Sequence, residues 1–512
     1  MAGRRIDIRG TVQGVGFRPW VVRLARGNGI RGTVRNDARG VRIEAFGAAP
    51  DVERFVIELR GDTLPSARIV ELAEEAIPER DDAGFQIVQS DAGGDKALSI
   101  PPDLATCADC ESEVFDDRDR RHRYPFTNCT SCGPRFTIAT GIPYDRALTT
   151  MAPFVMCPEC RREFEDIEDR RFHAQPNACP TCGPSLRLVG LGDAVLMSLD
   201  PLRETARLLE DGAIVAIKGL GGFHLACDAT QDDAIRRLRE RKRRDEKPFA
   251  VMVRSIEDAE RLALIGEPER DLLRSQERPI VLVHRRAEGP IAPGASPDTP
   301  LLGLFLPYTP LHRLLLEEVG RPLVMTSANL SDEPICRSDE EARRRLDGIA
   351  DALLLHDREI AMRCDDSVAR VVAGVPMLLR RSRGFVPRPF VLDRPVAEPI
   401  LACGAHLKNT FCIAYEDNAY FGPHIGDLET VAALEFFEQA IERMQAILSV
   451  RPKLIAHDLH PGYLSTRYAL SRTDVDCIGV QHHHAHVVSA MAEHRTCLLY
   501  TSDAADECCG GG

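Results

Sequence analysis

At 512 residues the chain is longer than one hydrophobic core usually serves, and length alone points to three or four domains. Hydrophobic residues at 44% and charged residues at 28% are those of a globular protein, which excludes extensive disorder. A net charge of −13 excludes a chain that grips nucleic acid with its whole surface, so a small anionic ligand would need a local positive pocket.

The opening Met1-Ala2-Gly3-Arg4-Arg5-Ile6-Asp7 has no apolar signal core, and no later window holds about 18 uncharged apolar residues, so no membrane partner and a cytoplasmic location are expected. Seventeen cysteines would suggest disulfides in a small secreted chain, but eight of these fall into four Cys-x-x-Cys pairs in one segment. In a chain without a signal that pattern means metal thiolates.

Residues 1–91 read as an α+β unit: a strand over 4–9, a Gly-rich turn and a helix over 18–28. Strands around Val34 and over 41–46 follow, then a helix over 52–60 and strands over 67–74 and 85–88, with 91–95 as a linker. The cysteine segment, 101–188, contains an internal repeat of 50 residues: Cys107, Cys110, Cys129 and Cys132 map onto Cys157, Cys160, Cys179 and Cys182, and Asp119-Arg120-Arg121 onto Asp169-Arg170-Arg171. Two copies of one small fold are implied.

Over 198–385, helical stretches at 202–209 and 232–243 alternate with β-rich runs at 213–217 and 280–283, the pattern of an α/β domain. A Pro-rich joint precedes a fourth unit, 398–496, with a strand over 400–402 and a helix over 428–448. The tail 497–512 breaks the pattern of everything before it and reads as non-native, which makes the chain a truncated version of a longer protein.

The strongest motif is Cys107-x2-Cys110-x18-Cys129-x2-Cys132, repeated at Cys157, Cys160, Cys179 and Cys182. Each half offers the four thiolates that tetrahedral Zn(II) takes in a closed structural site, so two structural zinc ions are expected, with buried or redox cysteines as the alternative. Gln13, Gly14, Val15, Gly16 and Phe17 form a glycine-rich turn whose successive amides can cradle a phosphate at a helix N-terminus, with Arg18 as a charged fork; many such turns are only turns. Lys218 and Gly219 end an apolar strand, and Arg241-Lys242-Arg243-Arg244 with Lys247 is either a solvated helix face or a cluster able to neutralise a triphosphate. His482 and His486 would share one helix face and chelate a divalent metal, or stand as a His-rich surface turn.

The first unit, with Gly32-Thr33-Val34-Arg35-Asn36-Asp37 downstream of the loop, resembles acylphosphatase, which implies a ferredoxin-like fold with Arg18 binding the acyl phosphate and Asn36 orienting the attacking water. The third, with Thr326-Ser327-Ala328-Asn329-Leu330-Ser331-Asp332-Glu333 and Arg380-Arg381-Ser382-Arg383, resembles the YrdC/Sua5 domain. That resemblance puts Lys218, Gly219, Arg241, Lys242, Lys247, Ser327 and Asn329 around ATP and carbamate, with Arg380 or Arg381 in contact, and ATP accompanied by Mg(II). The fourth, through Cys403-Gly404-Ala405-His406, His457-Asp458 and Gln481-His482-His483-His484-Ala485-His486, is similar to part of a Kae1-like, actin-like ATPase domain, which favours a metal at His482 and His486.

In this order, acylphosphatase-like, tandem four-cysteine zinc-ribbon, YrdC-like and partial Kae1-like units resemble the HypF family. The resemblance implies a carbamoyltransferase that hydrolyses carbamoyl phosphate, forms carbamoyl-adenylate with ATP and passes the carbamoyl group to the C-terminal cysteine of a HypE-type maturation protein, toward the cyanide ligands of NiFe hydrogenase. A threonylcarbamoyl-adenylate enzyme of tRNA modification, and a non-catalytic zinc-ribbon scaffold that binds nucleic acid, are the alternatives; the acidic balance makes nucleic acid an unexpected partner.

Overall fold

The computed structural model describes residues 2–494 except 13, 37–39, 62–63, 65–66, 81, 89–99, 143, 192–197, 245 and 331–332, with the backbone alone at 11, 68 and 70. Gln13, Asp37, the linker 91–95, Ser331, Asp332 and the tail 497–512 thus lie outside the described residues.

The first unit is built from β1 (Ala2–Thr11), α1 (Phe17–Gly27), β2 (Arg31–Asn36), β3 (Gly40–Gly47), α2 (Ala49–Gly61), β4 (Arg68–Ile77) and β5 (Phe85–Ile87). The sheet runs β4-β1-β3-β2-β5, with β4, β1, β3 and β2 antiparallel to one another in turn and β5 parallel to β2. Alternation sets the buried face: Ile6 and Ile8 of β1 meet Val41 and Ile43 of β3, and Phe17, Val21, Val22 and Ala25 of α1 close over them with Val52, Phe55 and Leu59 of α2.

Two short helices, α3 (Ala108–Phe115) and α4 (Pro158–Glu165), open the two cysteine repeats, each starting directly after the first cysteine of its set. The repeats exchange arginines. Arg121 donates to both carboxylate oxygens of Glu163 on α4 and, at 2.9 Å, to the Ala178 carbonyl, while Arg171 binds Glu113 on α3 and, at 3.1 Å, the Asn128 carbonyl. Asp119 and Asp169 each accept the amide of the arginine two residues on, both at 2.7 Å, which fixes the two turns alike. The sequence repeat is therefore a spatial pseudo-dyad in which each half completes the other.

The largest sheet has eleven strands and mixed direction. Toward one side of it lie the interior strands β7 (Val215–Lys218) and β8 (Phe223–Asp228), with β6 (Leu186–Gly190) as the nearby edge strand that leaves the second cysteine repeat. Both faces are covered. Phe223, Leu225 and Cys227 point into one core with Ala216, and Val215, Ile217 and Ala226 into the other, so these interior strands read as unbroken apolar runs. Helices α5 (Pro201–Glu210) and α6 (Asp232–Lys242) stand where the sequence places them; α6 ends in Arg243, whose φ of 51° turns the chain back.

The last unit has six strands, with Ile400–Ala402 between Cys412–Tyr415 and Leu454–Asp458. The helix Val431–Leu448 packs on it, starting three residues later than the sequence suggests, because Thr430 caps it by accepting the Ala433 amide at 3.1 Å. Phe136 and Ala139 of the cysteine segment enter this unit's core. Among the described residues no helix is long and apolar enough to cross a membrane.

Candidate functional site

The four thiols of each repeat lie within 4.8 Å of one another. In the first set the sulfurs are separated by 3.7 Å (Cys107 to Cys129), 3.8 Å (Cys129 to Cys132) and 3.5 Å (Cys132 to Cys110), and in the second by 3.7, 3.8 and 3.6 Å. Four sulfurs on a tetrahedral Zn(II) stand about 3.8 Å apart, whereas a disulfide needs about 2 Å, so both sets fit a four-thiolate zinc site and neither is a disulfide. Two clusters of four thiolates are a concentrated negative charge. Arg170 reaches the Cys110 sulfur and Arg120 the Cys160 sulfur, both at 3.2 Å, again from the opposite repeat.

The phosphate-loop candidate lies at one end of the first sheet. Asn36 pairs with Val41, and Val41 with Ile8, so the end of β2 stands two strands from the loop that leaves β1. Gly14 and Gly16 have φ of 68° and 76°, a left-handed geometry that favours glycine, and together they turn the chain so that α1 begins at Phe17. Among the described residues the Arg18 guanidinium forms no hydrogen bond or ion pair, and the Asn36 Oδ1 is buried without a donor. The loop is roofed by the cysteine segment. A Cβ on Gly16 would meet Thr130 Oγ1 at 2.8 Å, and Arg135, 1% exposed, donates from Nε to the Gly14 carbonyl at 3.3 Å while its Nη2 holds the Cys129 and Thr130 carbonyls at 2.9 Å. Burial lowers the Arg18 pKa and the nearby Asp145 carboxylate opposes it; burial and then Arg18 lower His173.

A second cluster forms at the end of α6. Lys242 is 1% exposed and its Nζ donates to the Ser327 carbonyl at 2.7 Å and to Asn329 O and Oδ1 at 2.5 Å each; Ser327 Oγ donates to the same Oδ1 at 2.8 Å. Lys247, Arg244 and Arg380 crowd around it: burial lowers the Lys247 pKa, and Arg244 and Arg380 add to that. Arg380 comes within 4.0 Å of Asp365. Other candidates are committed elsewhere. Arg241 binds Asp351 at 2.8 Å and the Ile349 carbonyl, and Arg381 turns to the Arg388 carbonyl and the Phe385 and Phe421 rings. Lys218 meets Asp339 at 2.7 Å and the His356 carbonyl at 2.9 Å, and Gly219 closes a turn with the Gly222 carbonyl at 2.8 Å.

His482 and His486 stand on the exposed helix His482–His494 with Nε2 atoms 3.1 Å apart, near the ~3.4 Å of two imidazoles on one tetrahedral ion. Asp458 accepts from His482 Nδ1 at 2.7 Å, the support a metal-binding imidazole commonly has. Among the described residues no third ligand atom joins them.

Residues 4–87 match the family model described as acylphosphatase, 106–139 and 156–189 the HypF finger, 207–382 the Sua5/yciO/yrdC model described as telomere recombination, and 395–493 the HypF Kae1-like domain. Carbamoyltransferase HypF2 of Cupriavidus necator is 49% identical over 96% of this chain and 63% of its own length, and carbamoyltransferase HypF of Synechocystis 44% over 96% and 64%. The chain thus spans less than two thirds of these relatives. A full-length HypF crystallised in a phosphate- and nucleotide-bound form superposes with a TM-score of 0.90 at 46% identity, over 96% of this chain and 65% of that one. With a roofed glycine-rich loop, two four-cysteine clusters and a buried Lys–Asn cluster in that order along one chain, the protein belongs to the HypF carbamoyltransferase family.

Proposed function

We propose that this chain carries out the first two stations of carbamoyl transfer. Carbamoyl phosphate binds in the loop of Gln13, Gly14, Val15, Gly16 and Phe17, with Arg18 on its phosphate. Water held by the Asn36 Oδ1 attacks, phosphate leaves, and carbamate is freed. The observation that carries this reading is the pairing of a guanidinium without a protein partner and a buried amide oxygen without a donor at one sheet end. Both are groups whose desolvation is otherwise unrewarded.

At the second station a carbamate oxygen attacks the α-phosphate of Mg(II)-ATP, giving carbamoyl-adenylate and pyrophosphate. Lys242, Lys247 and Arg380 offset the growing charge, with Ser327 and Asn329 holding Lys242 in place; Lys218, Gly219, Arg241 and Arg381 support this pocket from outside that cluster. The two zinc ions, held by the eight cysteines, supply folding energy rather than chemistry, because four thiolates leave no open coordination position. The Kae1-like unit, with a divalent metal at His482 and His486, serves the later transfer to the C-terminal cysteine of a HypE-type protein.

Pyrophosphate exchange into ATP tests the reading. Carbamoyl phosphate should stimulate exchange, and Arg18→Ala should remove the stimulation by about a hundredfold or more. Equal exchange with and without carbamoyl phosphate would overturn it.

A further inference from the structure

The seam between the large-sheet unit and the last unit holds a cavity of about 360 Å³. Arg337, Met362 and Arg363 line it from the first of these units, and Phe436, Gln439 and Arg443 from the helix Val431–Leu448 of the second. Three guanidiniums thus meet in a space many times the ~30 Å³ of one water.

One of the three is fully committed. Arg363 donates from Nη2 to both oxygens of Glu341 at 3.0 and 3.1 Å and from Nε to the Ile335 carbonyl at 3.0 Å, and lies over the Phe436 ring at 5.4 Å. The other two are not. Arg337 spends its side chain on a long contact of Nη1 with the Ala361 carbonyl, 3.4 Å, and Arg443 donates from Nη2 to the Ala139 carbonyl at 2.6 Å while its Nε is enclosed without an acceptor. Among the described residues neither forms an ion pair. The nearby acids do not serve them: Glu341 is shared by Arg345 and Arg363, and Glu442, also at the cavity, is exposed and pairs with no arginine. Burial first and then Arg363 lower the Arg337 pKa, and burial and then Arg337 lower that of Arg443. Half-buried like charges that face each other without a counterion cost free energy, and a bound anion recovers it.

We propose that this cavity is a binding site for a small phosphate-bearing anion, held between Arg337 and Arg443 with the Gln439 amide as a further donor. Two guanidinium forks from opposite walls match an anion that offers oxygens in several directions, as phosphate and pyrophosphate do and a lone carboxylate does not. Because Arg337 belongs to one unit and Arg443 to the next, the occupied site fastens the two together. It shares no residue with the glycine-rich loop or with the Lys242 cluster. The site stands without the function proposed above; only pyrophosphate as its natural source, the second product of adenylate formation, rests on that reading.

Neither of two tests uses turnover, so an inactive chain would count against the proposed function and leave both intact. In the first, phosphate, pyrophosphate and acetate are titrated calorimetrically into the full chain carrying Arg18→Ala and Lys242→Met, which weaken the other two basic sites. Phosphate or pyrophosphate should bind saturably, the tighter of the two naming the source, and Arg337→Gln and Arg443→Gln should each weaken that binding about tenfold, with Arg337→Lys in between. Arg337→Gln should leave the ligand-free thermal midpoint unlowered and remove the rise that pyrophosphate brings. Acetate bound as tightly as phosphate, binding that survives both glutamine variants, or a ligand-free midpoint that falls by as much as the lost rise overturns the site. In the second, tungstate, a phosphate analogue with an anomalous signal, is soaked into wild-type crystals. A peak between Arg337 and Arg443 that Arg337→Gln lacks is expected, and no peak there overturns the site.

Discussion

Arg121 and Arg171 show how much one side chain can carry. Each is nearly excluded from solvent and spends its donors on the opposite repeat, on a glutamate and a main-chain carbonyl. Removing Arg121 leaves Glu163 with Arg120 alone and the Ala178 carbonyl without its donor, so Arg121→Leu should lower unfolding free energy by about 2 kcal/mol in urea titration. The exposed pair of Arg161 and Glu165, 3.9 Å apart, is the control: Arg161→Ala should change stability by less than about 0.5 kcal/mol. Equal effects would mean the cross-repeat exchange is not a clamp.

Lys242 sets a pH dependence. Burial first, and Arg244 after it, bring its pKa from 10.5 to about 7. Between these values the unfolded chain binds the extra proton, so this residue's contribution to stability rises with pH across that window and is least favourable below 7. Under the proposed function nucleotide binding runs the other way, because the ammonium's charge favours a nearby phosphate: affinity should fall as pH rises above 7, by up to about tenfold per unit. Calorimetric titration with ATP on either side of neutrality reads this, and Lys242→Met should flatten the curve.

At the scale of elements, the proposed phosphate loop is a turn held from outside. Its glycines permit the conformation, but Thr130 and Arg135 of the cysteine segment press against it and hold it. Gly16→Ala would place a methyl group at a φ of 76° and 2.8 Å from Thr130 Oγ1, so strain of about 1–3 kcal/mol should appear as weaker phosphate binding. Arg135→Met should raise the KM for carbamoyl phosphate more than it lowers kcat, since the side chain positions the loop without reaching the substrate. An unchanged KM would show that the loop holds its shape unaided.

For the whole molecule, the cysteine segment is the keystone. It meets the first unit through Arg26 and Glu168, the central sheet through the Ala105 amide on the Gln276 carbonyl at 2.8 Å and through Glu111 on Arg313, and the last unit through Phe136, Ala139 and Arg443. A segment this poor in apolar core depends on its metal to fold. Stripping the proposed zinc with a chelator should therefore loosen all three units at once, seen as new proteolytic cuts in each of them together with loss of the activity proposed for the loop. Cuts confined to 101–188 would show that the units stand without it.

What the sequence determined by itself was everything encoded locally or in repeated spacing. The strands and helices of the first unit, α6 and the thiolate sets follow from apolar periodicity, glycine placement and Cys-x-x-Cys spacing, and their physical causes act within a few residues. Partner choice was decided only by the tertiary structure. Arg241 and Lys242 are adjacent, but one turns to Asp351 and the other to Asn329; Arg380 joins the basic cluster and Arg381 does not. A run of cations records that charge is present, not which way each flexible chain reaches. Arg135 carries no local signal at all, because its significance lies in atoms more than a hundred residues away.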